Sequence, residues 1–167
     1  MRHSARICAC MPDPNFSVEP LNNITSRIIE AAIRIHRAVG PGLLEKAYWG
    51  CLCFELHSTG LRIETQKALP LVYRGVNIDC AYRADLIVEG LVIVEVKALN
   101  GLVPIHRRQL LTYLRLANCP LGLLLDFGGE TMKAGIKRVI NDRYTPSEHS
   151  TGARASRMPL WSLWPLC

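Results

Sequence analysis

The sequence predicts a single α/β domain, and three observations carry that expectation. Apolar residues recur at helical spacing in the first third of the chain, short β-branched and aromatic runs follow between turn residues, and the length leaves no room for a second core. Its 167 residues are 49% hydrophobic and 20% charged, enough for one compact interior. Residues 1–16 contain two prolines and no period, and are expected to form a flexible extension. The folded domain is expected over 17–145, and 146–167 as a poorly ordered C-terminal extension.

Taken in order, Ile24, Ile28, Ala31, Ile35 and Val39 mark a first amphipathic helix with Asn23 as its N-cap. Gly40, Pro41 and Gly42 stop it. A second helical pattern runs from about Leu43 to Ser58, with Gly60 as its C-terminal punctuation. The period then changes: Leu69–Tyr73, Ile78–Tyr82, Ala84–Val88 and Leu91–Ala98 read as strands of an antiparallel meander, separated by turn signals such as Arg74-Gly75 and Glu89-Gly90. A third helix is predicted over Ile105–Ala117, where Leu110, Leu114 and Ala117 form an apolar stripe that Pro120 ends. Leu121–Phe127 has the pattern of a buried strand, and Met132–Ile140 suits either a last strand or a short helix.

The formal charge of +6 favours a polyanionic partner, because clustered Lys and Arg release counterions from phosphates. An ordinary basic surface gives the same number. Seven cysteines stand without a C-x-x-C pair, and their odd count and scatter suggest reduced thiols in a cytoplasmic setting rather than a zinc site. The longest apolar runs have strand length and fall short of a membrane span.

Chemistry concentrates in the last predicted strand of the meander. There Ile93, Glu95 and Lys97 share one face, so two opposite charges sit on a strand that is otherwise apolar. A charge in such a strand is costly unless it is paired or bound to a metal. A Glu-x-Lys pair on a solvated face is the plain alternative. The neighbouring strand is likewise apolar but for Asp85, and the connection decides whether the acids meet. A two-residue loop at Glu89-Gly90 sets Asp85 against Val94 and puts the carboxylates on opposite faces. A three-residue connection, Glu89-Gly90-Leu91, sets Asp85 against Glu95, and this is the predicted register, with Gly90 free to take a positive φ.

Glu45 adds a third carboxylate. Tyr48, Leu52 and Leu56 follow it at helical spacing, so Glu45 is expected on the buried face, although an acid in a first helical turn is also favoured by the macrodipole. Gln109 and Tyr113, one turn apart, suit either a role beside a catalytic lysine or an unremarkable side-chain pair. His36, near the end of the first helix, is read as capping carbonyls in preference to binding metal. Arg83, Arg107, Arg108 and Arg115 are candidates for phosphate contacts, with solvated surface charge as the alternative.

In its Gly42-x-x-Glu45-x-x-Tyr48 segment the chain resembles the GxxExxY family of the PD-(D/E)XK nuclease superfamily. The likeness extends through His36, Val39 to Pro41, Gly60 and Leu61, Glu64 and Gln66, Tyr73 to Gly75, Tyr82 to Asp85, Val94 to Lys97, Gln109 to Tyr113, and Gly135 to Arg138, covering about 21–141. It departs at Asp126, where the family pattern has Asn, and at Ala84, where a larger apolar residue is usual. The resemblance implies a mixed central β-sheet flanked by helices, a restriction-endonuclease-like core. It implies Asp85 and Glu95 as metal ligands, Glu45 as a further ligand or water-positioning acid, Lys97 beside the nucleophile, and Gln109, Tyr113 and Tyr48 in support. The implied cofactor is Mg²⁺, with Mn²⁺ as a substitute, and the implied partner is nucleic acid: DNA first, RNA second. A catalytically silent binding module retaining the fold is the alternative. A homodimer through a sheet edge or the tail with Trp161 and Trp164 is a further expectation.

Overall fold

The computed structural model describes residues 18–78 and 82–146. The extension expected at 1–16, and all but the first residue of the one expected at 146–167, lie outside the described residues. Helices α1 (Val18–Val39) and α2 (Glu45–Ser58) precede strand β1 (Ile63–Ala68), the small strands β2 (Leu71–Tyr73) and β3 (Val76–Ile78), and the paired strands β4 (Arg83–Val88) and β5 (Val92–Lys97). Helix α3 (Pro104–Leu116) leads to β6 (Leu121–Asp126), the single turn α4 (Met132–Gly135) and β7 (Ile136–Ile140).

Five strands form one sheet in the order β1-β4-β5-β6-β7. It is mixed because α3 carries the chain back over the sheet, so that β6 runs parallel to β5, while every other neighbouring pair is antiparallel. Alternation along the central strands sends Leu86, Val94, Val96 and Leu123 to one face, against Ile28, Ala31 and Leu52 of α1 and α2. Ile87, Ile93 and Leu124 go to the other, against Leu110, Tyr113 and Leu114 of α3. With both faces covered, β6 is buried throughout, and its near-continuous apolar sequence is what such a position demands.

Several boundaries differ from expectation. Helix α1 begins at Val18, so Asn23 lies within it and is not its N-cap, and Val39 at its end is exposed. The meander is broken: β2 and β3 form a separate two-stranded sheet, and the expected strand at Ile78–Tyr82 is represented only by its first residue, with 79–81 outside the described residues. Its place beside β4 is taken by β1, whose residues Glu64 to Ala68 are all exposed. The Met132–Ile140 segment is both of the forms considered, a helical turn followed by a strand.

The ends of β5 and β6 are tied together close to Lys97. The buried Asp126 carboxylate accepts the N–H of Leu99 at 2.8 Å and of Gly128 at 3.1 Å. Gly128 is required there, because a Cβ would overlap the Leu99 carbonyl. His36 joins the same corner from α1, its Nε2 lying 2.9 Å from the Gly129 carbonyl oxygen. It therefore binds a carbonyl of a distant loop and not one of its own helix.

Candidate active site

The β4–β5 hairpin has the odd connection. Val88 pairs with Val92, Ile87 with Ile93 and Leu86 with Val94, and the paired ladder ends there, before the expected pairing of Asp85 with Glu95. Both Glu89 (φ +54°) and Gly90 (φ +69°) adopt the left-handed conformation in the turn. Glu89 is held there by Arg62, whose backbone N–H and Nε donate to its carboxylate at 2.7 and 3.0 Å and keep its pKa below the usual carboxylate range. Alternation along β5 puts Glu95 and Lys97 on the α3 side with Ile93, whereas the alternation of β4 breaks at Asp85, since Ala84 and Ile87 both pack on that side. Asp85 reaches β5 through its carboxylate, which accepts the Val96 N–H at 3.0 Å.

Their surroundings differ sharply. Asp85 has both oxygens engaged: Oδ1 accepts from Gln66 Nε2 at 3.1 Å and Oδ2 from the Val96 N–H at 3.0 Å. Glu95 is 5% exposed, and while its Oε1 takes Lys97 Nζ at 2.9 Å, its Oε2 is buried with no hydrogen-bond partner among the described residues. Burial first, and then the charge of Asp85, push the Glu95 carboxyl up to about 7 against the opposing pull of Lys97. Burial would lower Lys97, yet the Glu95 carboxylate, followed by Glu45 and Asp85, more than offsets it and raises its pKa. Lys97 is therefore a firmly charged ammonium in a largely dry place, facing more negative charge than it neutralises.

Glu45 comes to this group from the other layer. It is the first residue of α2, and its Oε1 lies 3.9 Å from Lys97 Nζ. Its side chain is 47% exposed, so the expectation of a buried Glu45 is corrected: the apolar stripe it heads, Tyr48, Leu52 and Leu56, is buried, but residues 41–47 at the helix start are all exposed. What fixes that terminus is Tyr48, stacked on Phe127 with ring centroids 4.5 Å apart. Its hydroxyl donates to the Gly40 carbonyl at 2.6 Å and accepts the Leu43 N–H at 3.1 Å, closing the loop that delivers Glu45. Replacing Tyr48 by Phe is expected to cost about 1–2 kcal/mol and to speed amide exchange in residues 40–45 selectively. Uniform exchange changes across the domain would contradict this.

A sequence profile of the PD-(D/E)XK nuclease superfamily matches residues 22–139, from within α1 to β7. The chain belongs to the PD-(D/E)XK nuclease superfamily. The mixed sheet with helices on both faces is the superfamily's restriction-endonuclease-like α/β architecture. Neither a curated protein nor a solved structure matches the chain.

Nucleases of this superfamily generally use divalent metals, so the acid group is tested against a cation. Among the described residues no three His, Cys, Asp or Glu side chains are gathered tightly enough to hold one. Two carboxylates suffice for a hard ion that keeps most of its water, as Mg²⁺ does. The unpartnered Glu95 Oε2 is what such an ion would satisfy, and its charge would relieve the repulsion between Asp85 and Glu95. The donor set fits.

Beside two of the acids of this PD-(D/E)XK domain, Glu45 and Asp85, an open cleft of about 540 Å³ is completed by Lys46, Trp49 and Gln66. Trp49 Nε1 donates to the Asp85 carbonyl at 3.2 Å, tying α2 to β4. Gln109 and Tyr113 bond each other, Nε2 to hydroxyl at 2.7 Å, and Tyr113 packs edge-on to Tyr82. No hydrogen bond among the described residues joins either of them to Lys97. Burial raises the Tyr113 phenol, and the Glu95 carboxylate adds to that effect. Of the arginines, Arg115 is engaged by Asp142 at 2.9 Å and Arg83 Nη1 by the Gln66 carbonyl at 2.9 Å, whereas Arg107 and Arg108 stand exposed near the start of α3. No helix among the described residues is long and apolar enough to cross a membrane.

Sequence reasoning on the residues themselves assigned no role to Gln66 or Trp49. Neither carries charge, and Gln66 lies on an edge strand without apolar alternation, so only a sequence position shared with a family could have drawn attention to it.

Proposed function

We propose that this chain is a Mg²⁺-dependent nuclease of the GxxExxY branch that hydrolyses phosphodiester bonds in DNA, with Mn²⁺ as a working substitute. The observation that supports this most directly is the Glu95 carboxylate, buried with one oxygen unpartnered among the described residues, in the field of Asp85 and paired with a charged Lys97. A buried acid in that state destabilises the fold and is retained where a ligand completes it.

In this reading Asp85 and Glu95 hold the cation and Glu45 assists from α2. When bound, Mg²⁺ supplies positive charge that offsets the phosphoryl oxygens and makes water a better nucleophile. Lys97 orients that nucleophile and stabilises developing negative charge through its ammonium, which burial makes more effective than it would be in bulk water. Glu45, half-exposed at 3.9 Å from Lys97, aligns the ammonium and stands ready to take a proton from water. Arg107 and Arg108 contact phosphates of the bound strand, a role less open to Arg83 and Arg115, which have partners of their own. Gln109 and Tyr113 pack behind the site.

The test is cleavage of single-stranded, duplex and branched DNA and of RNA, with Mg²⁺ or Mn²⁺, by wild type and by Asp85→Asn. Cation-dependent cleavage that Asp85→Asn removes, with nucleic-acid binding retained, is expected. Binding without cleavage by the wild type on every substrate would point to the silent module instead.

A further inference from the structure

We infer that Gln66 is a positioning residue that fixes the orientation of the Asp85 carboxylate for cation binding. The inference rests on the metal-binding reading of Asp85 and goes beyond it by assigning a residue from a different strand.

Gln66 lies in β1 between Thr65, paired with Leu86, and Lys67, paired with Ala84, so it faces Asp85 across the strands. Its φ of +50° is left-handed, which interrupts an otherwise extended strand and which a non-glycine residue adopts only when its neighbours enforce it. Here the neighbours are visible. Gln66 Nε2 donates to Asp85 Oδ1 at 3.1 Å, and the Gln66 carbonyl accepts Arg83 Nη1 at 2.9 Å, so side chain and backbone are both tied to β4. Asp85 is then held at three atoms from three elements: Oδ1 by β1, Oδ2 by the Val96 N–H of β5, and its carbonyl by Trp49 of α2. A carboxylate whose oxygens are both fixed is oriented before a cation arrives. The chemistry of the donor also matters. An Arg or Lys in this place would neutralise Asp85 and compete with a cation, whereas a neutral amide orients the carboxylate and leaves its charge available. Gln66 also lines the cleft beside Asp85, within reach of whatever occupies it.

The left-handed backbone supplies a discriminating variant. Gln66→Gly removes the amide yet accepts the positive φ without strain, so it is expected to leave the metal-free Tm equal to or above that of the wild type. Mn²⁺ affinity, read from the electron paramagnetic resonance signal of free Mn²⁺ titrated with the full chain, is expected to weaken about 10-fold or more. Gln66→Asn also tolerates the left-handed region but ends one methylene short of Asp85, and carries the same expectation if the glycine variant is unstable. Mn²⁺ affinity within twofold of wild type in a variant of preserved Tm would overturn the assignment while leaving the metal reading intact. Failure of the wild type to bind Mn²⁺ would instead overturn the metal reading, and this inference with it.

Discussion

Replacing Lys97 by alanine is expected to lower kcat for Mg²⁺-dependent cleavage about 10³-fold while changing nucleic-acid affinity by less than about threefold, the loss expected when a buried stabiliser of developing charge is removed. The asymmetry follows from its place. Lys97 lies inside the site, its side chain only 14% exposed and spanned by Glu95 at 2.9 Å and Glu45 at 3.9 Å, so little of it is offered to a strand bound along the surface. Its charge becomes useful when negative charge develops beside it. The variant should still fold, because Glu95, already disposed to keep its proton near neutrality, escapes an unpaired buried charge by protonating. Steady-state cleavage and fluorescence anisotropy on the same oligonucleotide separate the two effects. Cleavage by Lys97→Ala within tenfold of wild type would remove Lys97 from the chemistry and return it to the role of an ion-pair partner.

The parts of this architecture that were legible beforehand are those where burial imposes a pattern. Val92 to Val96 and Leu121 to Leu125 had to be strands because their apolar runs are too short for buried helices and are bounded by turn residues. The hairpin register was legible for a different reason: only an odd connection brings two costly charges onto one face, where they can share a ligand. β1 was invisible because an exposed edge strand has no apolar face to declare it; Glu64, Thr65, Gln66 and Lys67 read as loop until β4 is present to pair with them. Glu45 shows the limit of helical spacing as evidence. Periodicity aligned it with Tyr48, Leu52 and Leu56, but burial also depends on position along the axis, and the residues that begin this helix are exposed. The same limit applies to Arg115: charge type nominated it, and only the fold reveals that Asp142 lies beside it.

Glu95 should make the stability of the metal-free protein fall as pH rises. Its folded-state pKa of about 7 lies above the ordinary 4.5, so the folded state binds the proton more tightly, and the stability this confers is complete below pH 4.5 and lost as pH rises towards 7. The difference corresponds to roughly 3 kcal/mol between the two ends of that window. Lys97 adds no slope there, since its raised pKa keeps it charged throughout. A divalent cation selects the ionised carboxylate. Mg²⁺ should therefore raise Tm more at pH 8 than at pH 5.5, and binding at pH 6 should release about one proton per cation. Glu95→Gln isolates the contribution: the difference in Tm between wild type and variant, measured in EDTA from pH 5 to 8.5, should shift in favour of the variant as pH rises, and the variant should lose most of its response to Mg²⁺. A pH-independent difference between the two proteins would mean that Glu95 titrates as an ordinary carboxylate. A Mg²⁺ response unchanged by Glu95→Gln would place the cation elsewhere. The first outcome undoes the electrostatic account of the site while leaving its metal standing, and the second does the reverse.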